Sequence, residues 1–268
     1  MDERSRVDRM RDFGAAVDFG RTADDYQRFR AGFPERFFAS IADRSWIAPG
    51  QRALDLGTGT GTVARGLARR GLSVTGLDPA PHMLERAREL DTRIGVEVEY
   101  RVGRAEDVDL PDGTLDLVTA GQCWHWFDGP RTAAEVARVL RPGGRVIVAH
   151  FDWLPLPGNV VEAAENLMLA HNPKWALAGS TGLYPDWFEH LAGAGFESLE
   201  SFSFDIDQPY SHEAWRGRIR ASSGVSASLS REGSERFDRE HARLLHERFP
   251  EDPLSVPHRV WAVSGTRR

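Results

Sequence analysis

The sequence predicts an α/β fold: a doubly wound, mostly parallel, seven-stranded sheet with helices on both faces and a helical cap. Three observations predict it. Short apolar runs alternate with helix-period segments from about residue 52 to 150, the pattern of right-handed βαβ crossovers. A turn with three alternating glycines, Gly57, Gly59 and Gly61, separates the first strand from its helix. The chain has 268 residues, 41% hydrophobic and 28% charged, which suits a packed globular protein rather than a disordered one.

The elements follow in order. A helix is expected from roughly Thr22 to Ala42, with Phe33, Phe37, Phe38 and Ile41 facing a core and Pro34 near a helix start. Pro49 and Gly50 break the chain before strand Arg52 to Leu56. After the glycine turn a helix runs to about Arg70, with Val63, Ala64, Leu67 and Ala68 on one side. Strand Ser73 to Leu77 and helix Pro81 to Leu90 come next. Strands Val96 to Val102 and Leu115 to Ala120 follow, then a helix over Thr132 to Leu140. Pro142-Gly143-Gly144 reads as a turn before a strand, Arg145 to His150. Beyond Phe151 the alternation gives way to helices at 159–170, 185–194, 211–221 and 233–248, and to late strands at 198–207 and 259–264. The extra helices are expected to cap the sheet's carboxyl edge without forming a second folding unit.

Composition narrows the function. With 34 basic and 40 acidic residues the formal charge is -6, which disfavours a broad nucleic-acid surface. A single cysteine, Cys123, forms no internal disulfide and points to a reducing, cytoplasmic setting. The opening MDERSRVDRM is too charged for a secretory signal, and no apolar run approaches the ~20 residues of a membrane span. His and Cys nowhere adopt metal-ligand spacing, so no metal is expected.

Ligands of doubly wound sheets bind at the carboxyl ends of the strands. There, Ala53-Leu54-Asp55-Leu56-Gly57-Thr58-Gly59-Thr60-Gly61 links strand to helix, and Asp78 ends the second strand, where a carboxylate accepts ribose hydroxyls. Two cofactor classes use such a layout. Gly59-Thr60-Gly61-Thr62-Val63-Ala64 matches a dinucleotide fingerprint, G-x-G-x-x-A. Asp55 at the mouth of the turn opposes a pyrophosphate and favours an ammonium group. A ribose, no phosphate and a cationic amine describe S-adenosylmethionine.

Leu54-Asp55-Leu56-Gly57-Thr58-Gly59-Thr60-Gly61 resembles the first motif of class I S-adenosylmethionine-dependent methyltransferases, a family with a Rossmann-like fold. Leu77-Asp78-Pro79 with Pro81-His82-Met83-Leu84 resembles the second. Gly103-Arg104-Ala105-Glu106-Asp107, with the run from Leu110 to Val118, is similar to the third and to the approach to strand four. Leu140-Arg141-Pro142-Gly143-Gly144 is similar to the turn before strand five. Phe19-Gly20-Arg21 and Tyr26-x-x-x-Arg30 look like the N-terminal lid of the small-molecule branch that includes trans-aconitate methyltransferase-like proteins and methyltransferase type 11. There the sequel is Arg-Pro-x-Tyr-Pro, where this chain has Arg30-Ala31-Gly32-Phe33-Pro34.

The resemblance implies a division into a lid (1–50), a cofactor-binding core (51–151), a helical cap insertion (152–195) and a C-terminal part completing sheet and cap (196–268). It implies that Gly57, Thr58 and Gly59 contact the methionine portion, with Asp55 near its ammonium. Asp78, followed by Pro79, would hold the ribose, with Met83 nearby. Arg30 would pair with the cofactor carboxylate and Tyr26 close over the same end. Ala105 would meet the adenine ring, and Glu106 its exocyclic amine. Gln122 completes the expected cofactor set.

Strand four ends in Gly121-Gln122-Cys123-Trp124-His125-Trp126-Phe127-Asp128, where the methyl acceptor belongs, and relatives of this branch carry a similar His-Trp-Phe run. His125 is the candidate general base, set against a ring that merely packs. Trp124, Trp126, His150 and Trp153 are the candidate acceptor pocket, set against a core of the cap itself. Arg216, Arg218 and Arg220 read as a carboxylate site or as a solvated face. The expected function is methyl transfer from S-adenosylmethionine to O, N or C of a small molecule. The alternatives are an NAD(P)-dependent oxidoreductase and a non-catalytic cofactor-binding regulatory module.

Overall fold

The computed structural model describes Phe29, residues 31–226 and residues 228–268. The expected contacts of Tyr26 and Arg30 fall outside the described residues, as does the expected helix before Phe29. Among the described residues there are eight α-helices and seven strands. The strands form one mixed sheet in the order β3-β2-β1-β4-β5-β7-β6.

The strands are β1 (Arg52–Leu56), β2 (Ser73–Asp78), β3 (Glu99–Val102), β4 (Leu115–Gly121), β5 (Leu140–Trp153), β6 (Phe196–Tyr210) and β7 (Leu254–Arg267). The helices are α1 (Glu35–Asp43), α2 (Thr62–Ala68), α3 (Pro81–Ile94), α4 (Gly129–Val139), α5 (Val160–His171), α6 (Asp186–Gly193), α7 (His212–Arg220) and α8 (Arg231–Arg248). Neighbouring strands from β3 through β5 pair in parallel. Strand order reverses between β1 and β4, which places the switch point beside the carboxyl ends Leu56 and Gly121.

Two compact units divide the chain. One comprises residues 32–151, 184–204 and 260–268; the other includes residues 152–183 and 205–259. In the first, β1 and β4 are buried through Ala53, Leu54, Leu56, Leu117, Val118 and Ala120. Helices α1, α2 and α4 add Phe37, Phe38, Ile41, Val63, Leu67, Val136 and Val139 to this core. Each such side chain contributes about 1.5–3 kcal/mol on burial. Helix α6, expected within the cap insertion, belongs to this unit. The second unit has its own apolar cluster, built from Val161, Met168, Trp175, Trp215, Phe237 and Leu245 on α5, α7, α8 and the segment before α6.

Three expectations need correction. Residues 31–34 are not helical, and α1 starts only after Pro34. Helix α4 begins at Gly129, not Thr132. Asp128 caps it by accepting the Arg131 N–H, and Pro130 sits in its first turn, where a missing N–H costs nothing. Pro142-Gly143-Gly144 lies inside the span of β5 rather than before it, but the pairing with β4 jumps from Leu115–Leu140 to Leu117–Arg145, so these residues bulge out between two paired stretches, with Gly143 at φ +77°. Arg141 anchors that first stretch, its Nε donating to Asp116 Oδ1 on β4 at 2.6 Å.

Candidate active site at the carboxyl ends of the central strands

The glycine turn is held from below by Asp55 and from the side by Asp78. Asp55 is buried on β1. Its Oδ2 accepts Thr58 Oγ1–H at 2.7 Å and the Ala64 N–H at 3.2 Å, and its Oδ1 accepts Thr119 Oγ1–H at 2.7 Å. Burial pushes its carboxyl up to about 6 against the pull of these bonds. Its acceptors are thus directed to the turn, to β4 and to the first turn of α2. The amide that a pyrophosphate would seek there, that of Ala64, already donates to a carboxylate.

Asp78, at the end of β2, accepts the Gly59 N–H through Oδ2 and the Ala80 N–H through Oδ1, both at 2.9 Å. Desolvation raises its carboxyl above the usual aspartate value, partly offset by these two bonds. Gly57 and Gly59 both have left-handed φ, +56° and +55°. A Cβ on Gly57 would lie 2.8 Å from Cys123 Cβ, so this glycine lets the turn close on the segment after β4. A Cβ on Gly59 would meet only Met83 Cε, at 3.6 Å, which leaves room in front of the turn. Pro79 is exposed beside Asp78.

A second set of contacts fixes the turn from behind. Arg65 Nη2 donates to the Thr60 carbonyl at 2.8 Å, its Nη1 pairs with Asp91, and Asp91 Oδ2 accepts Tyr100 O–H at 2.8 Å. Burial and the bond to Asp91 raise the Tyr100 phenol, so it stays protonated.

Ala105 is buried after β3. Glu106 Oε1 accepts the Asp128 N–H at 3.2 Å, linking that loop to the start of α4. Gln122 has φ +62°, a left-handed conformation that is uncommon for a residue with a side chain, and its N–H donates to the Ala149 carbonyl at 2.9 Å. Cys123 is buried, with Sγ 3.1 Å from the Leu56 carbonyl.

Beyond Gln122, Trp124 and His125 are buried in a short 3₁₀ turn and Trp126 is half-buried. Trp124 Nε1–H donates to His190 Nδ1 of α6 at 3.2 Å. His125 Nδ1 lies 3.2 Å from His150 Nε2, and His150 Nδ1 lies 3.3 Å from the Tyr184 hydroxyl. Tyr184 stacks on Trp187, with ring centroids 4.2 Å apart and an interplanar angle of 14°.

The structure therefore brings together Asp55, Gly57, Thr58, Gly59, Asp78 and Met83, and separately Trp124, His125, Trp126 and His150. Trp153 belongs to the other compact unit. There its Nε1–H donates to Glu165 at 2.8 Å and its ring meets Trp215 edge-on. Arg216 and Arg220 both pair with Asp238, and Arg218 lies over the Trp153 ring. Sequence reasoning missed Thr119, whose signal was a hydroxyl in an otherwise apolar strand. It also missed Tyr184 and His190, which no local pattern marks.

Comparison with known proteins gives a family match for part of the chain and related folds for most of it. Residues 54–148 match the model of a methyltransferase domain. An uncharacterized methyltransferase of Mycobacterium tuberculosis (strain H37Rv) is 39% identical over 134 residues, 49% of this chain and 51% of that protein. The chain thus spans about half the length of these curated relatives. A structure from Anaeromyxobacter dehalogenans, provisionally assigned as a type II methyltransferase, superposes with a TM-score of 0.61 at 25% identity, covering 90% of this chain and 98% of that one. A Haemonchus contortus N-methyltransferase, solved with phosphomonomethylethanolamine and S-adenosylhomocysteine, shares the fold. Its TM-score is 0.58 at 21% identity, over 96% of this chain and 60% of that one.

Proposed function

We propose, from the match of residues 54–148 to a methyltransferase domain, that the chain is a class I S-adenosylmethionine-dependent enzyme that methylates O, N or C of a small molecule. One observation carries the choice of cofactor: Asp55 and Asp78 flank the glycine turn, and Asp55 already accepts the α2 amide that a dinucleotide's pyrophosphate would use. The Asp55 carboxylate there favours a cationic amino acid tail and opposes a diphosphate, whereas Asp78 suits the ribose of either cofactor class.

When bound, S-adenosylmethionine supplies a methyl group activated by its sulfonium. The space before Gly59, which a Cβ would enter without collision, fits such a ligand. Gly57, Thr58 and Gly59 offer backbone to its methionine portion, and Asp55 holds their turn in shape while its negative charge favours the ammonium. Asp78 and the neighbouring Pro79 receive the ribose, and Met83 lines the same space. Ala105 and Glu106 receive the adenine, and Gln122 closes the end nearest the acceptor.

Trp124, His125, Trp126 and His150 form the acceptor side. Orientation of an acceptor against an activated methyl supplies about 7–11 kcal/mol. A general base, here His125, adds about 10²–10⁴-fold. Most of the acceleration therefore rests on placement, and His125 serves acceptors whose proton must leave. The acidic balance suits a small acceptor better than a nucleic acid. No helix among the described residues is long and apolar enough to cross a membrane. A cytoplasmic location is part of the same proposal, from the single cysteine.

Titration calorimetry with S-adenosylhomocysteine and, separately, with NADH and NADPH tests the cofactor. Binding of S-adenosylhomocysteine alone supports the reading; binding of a nicotinamide dinucleotide in its place overturns it. Product formation with an acceptor panel then separates an enzyme from a binding module.

A further inference from the structure

We infer that Tyr184 and His150 are positioning residues that set the tautomer of His125 and spread the proton it receives over two imidazoles. The inference rests on the methyl-transfer reading and deepens it. Tyr184 O to His150 Nδ1 is 3.3 Å and His150 Nε2 to His125 Nδ1 is 3.2 Å, so the three side chains form one continuous line of hydrogen bonds. All three are buried: His125 after β4, His150 on β5, Tyr184 just before α6. Tyr184 is held flat against Trp187, and His150 lies 6.0 Å from the same indole, so the line is fixed by aromatic packing.

Such a line has two polarities. If Tyr184 donates to His150 Nδ1, then His150 must donate from Nε2 to His125 Nδ1. His125 is then protonated at Nε2 and has no lone pair outside the line. If instead the Tyr184 oxygen accepts from His150 Nδ1–H, then His150 Nε2 accepts from His125 Nδ1–H, and His125 Nε2 carries the lone pair. Only the second polarity makes His125 a base, and it is the one we assign. The acceptor's X–H bond breaks with its electron pair left on X, and the proton bonds to His125 Nε2. The Nδ1 proton of the resulting imidazolium is shared with, or passed to, His150 Nε2. Tyr184 keeps its own proton throughout and supplies only a lone pair. Release of one proton to water restores the neutral pair.

Long-range ¹H–¹⁵N NMR of histidine-labelled full-length protein reads both tautomers directly, without an acceptor. The wild type is expected to show His125 protonated at Nδ1 and bare at Nε2 when neutral. Tyr184→Phe, which keeps the stacked ring, and His150→Gln are each expected to move His125 toward the Nε2–H form. Both should also change the pH profile of turnover with any acceptor the panel identifies, while S-adenosylhomocysteine affinity stays within twofold. A wild-type His125 protonated at Nε2, or variants that fold and leave its tautomer unmoved, overturns the inference. Wild-type protein that fails to bind S-adenosylhomocysteine overturns the methyl-transfer reading itself, and with it the relay.

Discussion

Asp78 Oδ2 accepts the backbone N–H of Gly59 at 2.9 Å, which ties the turn after β1 to the carboxyl end of β2. One carboxylate thereby shapes the loop and faces the expected ribose. Asp78→Ala should weaken S-adenosylhomocysteine binding at least tenfold in calorimetry. Because burial raises the Asp78 carboxyl, affinity should begin to fall at a higher pH on acidification than an ordinary aspartate would dictate. Unchanged affinity in the alanine variant removes the ribose assignment.

Gly57 and Gly59 have nearly the same φ but different surroundings, so alanine should separate their roles. Both substitutions carry a left-handed penalty of about 1–2 kcal/mol. At Gly57 the new methyl also collides with Cys123 Cβ and Sγ, at 2.8 and 2.9 Å, adding about 1–3 kcal/mol of overpacking. At Gly59 it meets only Met83 Cε, at 3.6 Å. Gly57→Ala should therefore be the less stable variant in urea unfolding, and Gly59→Ala the one that loses more cofactor affinity relative to its stability. The reverse order would show that the open space in front of Gly59 is not where the cofactor lies.

The buried Asp55 makes stability depend on pH in an unusual direction. Its folded value of about 6 lies above the ordinary 3.8, so between these values the native state binds more protons than the unfolded chain. The stabilisation is fully present below about pH 4 and is lost as pH rises through 6, a change of about 3 kcal/mol. Asp55→Asn lacks this titration. The wild-type stability minus that of the variant should fall as pH goes from 4 to 6.5 in denaturant melts. A pH-independent difference would mean that the three hydrogen bonds cancel desolvation and leave the carboxyl at its ordinary value.

The first half of the fold was legible because its signals are local. β1, the glycine turn, α2 and the terminal Asp78 each announce themselves within a few residues, and β1 runs over the expected span. The start of α4 was legible too, since Asp128 and Pro130 are standard first-turn residues, but periodicity alone placed it three residues late. The β5 start was not. Pro142, Gly143 and Gly144 read as a turn, and they do leave the pairing with β4; what local signals missed is that Leu140 ahead of them already pairs with Leu115, with Arg141 bonded to Asp116. The acceptor side was legible at His125 and His150 as separate candidates. Their connection depends on Tyr184, which lies 34 residues beyond His150 in a segment without periodicity.

His241 on α8 is a buried histidine whose Nδ1 and Nε2 both lack a hydrogen-bond partner among the described residues, beside Phe237 and near the Arg216–Asp238–Arg220 cluster. Desolvation lowers it from 6.5 to about 4, with Asp238 opposing and Arg216, Arg220 and His212 adding to the shift. Each unmet polar atom costs about 1–3 kcal/mol, so His241→Leu, close in volume, should stabilise the protein by a similar amount at pH 7.5. The unfolded chain takes up a proton below about 6.5 that the native ring refuses until about 4, so wild-type stability is lost as pH falls through this window. The leucine variant escapes that loss, and its advantage should grow by about 3 kcal/mol between pH 7 and 4 in denaturant melts. An advantage that stays constant with pH would show that the ring is protonated in the folded state, with a carboxylate such as Asp238 as its partner.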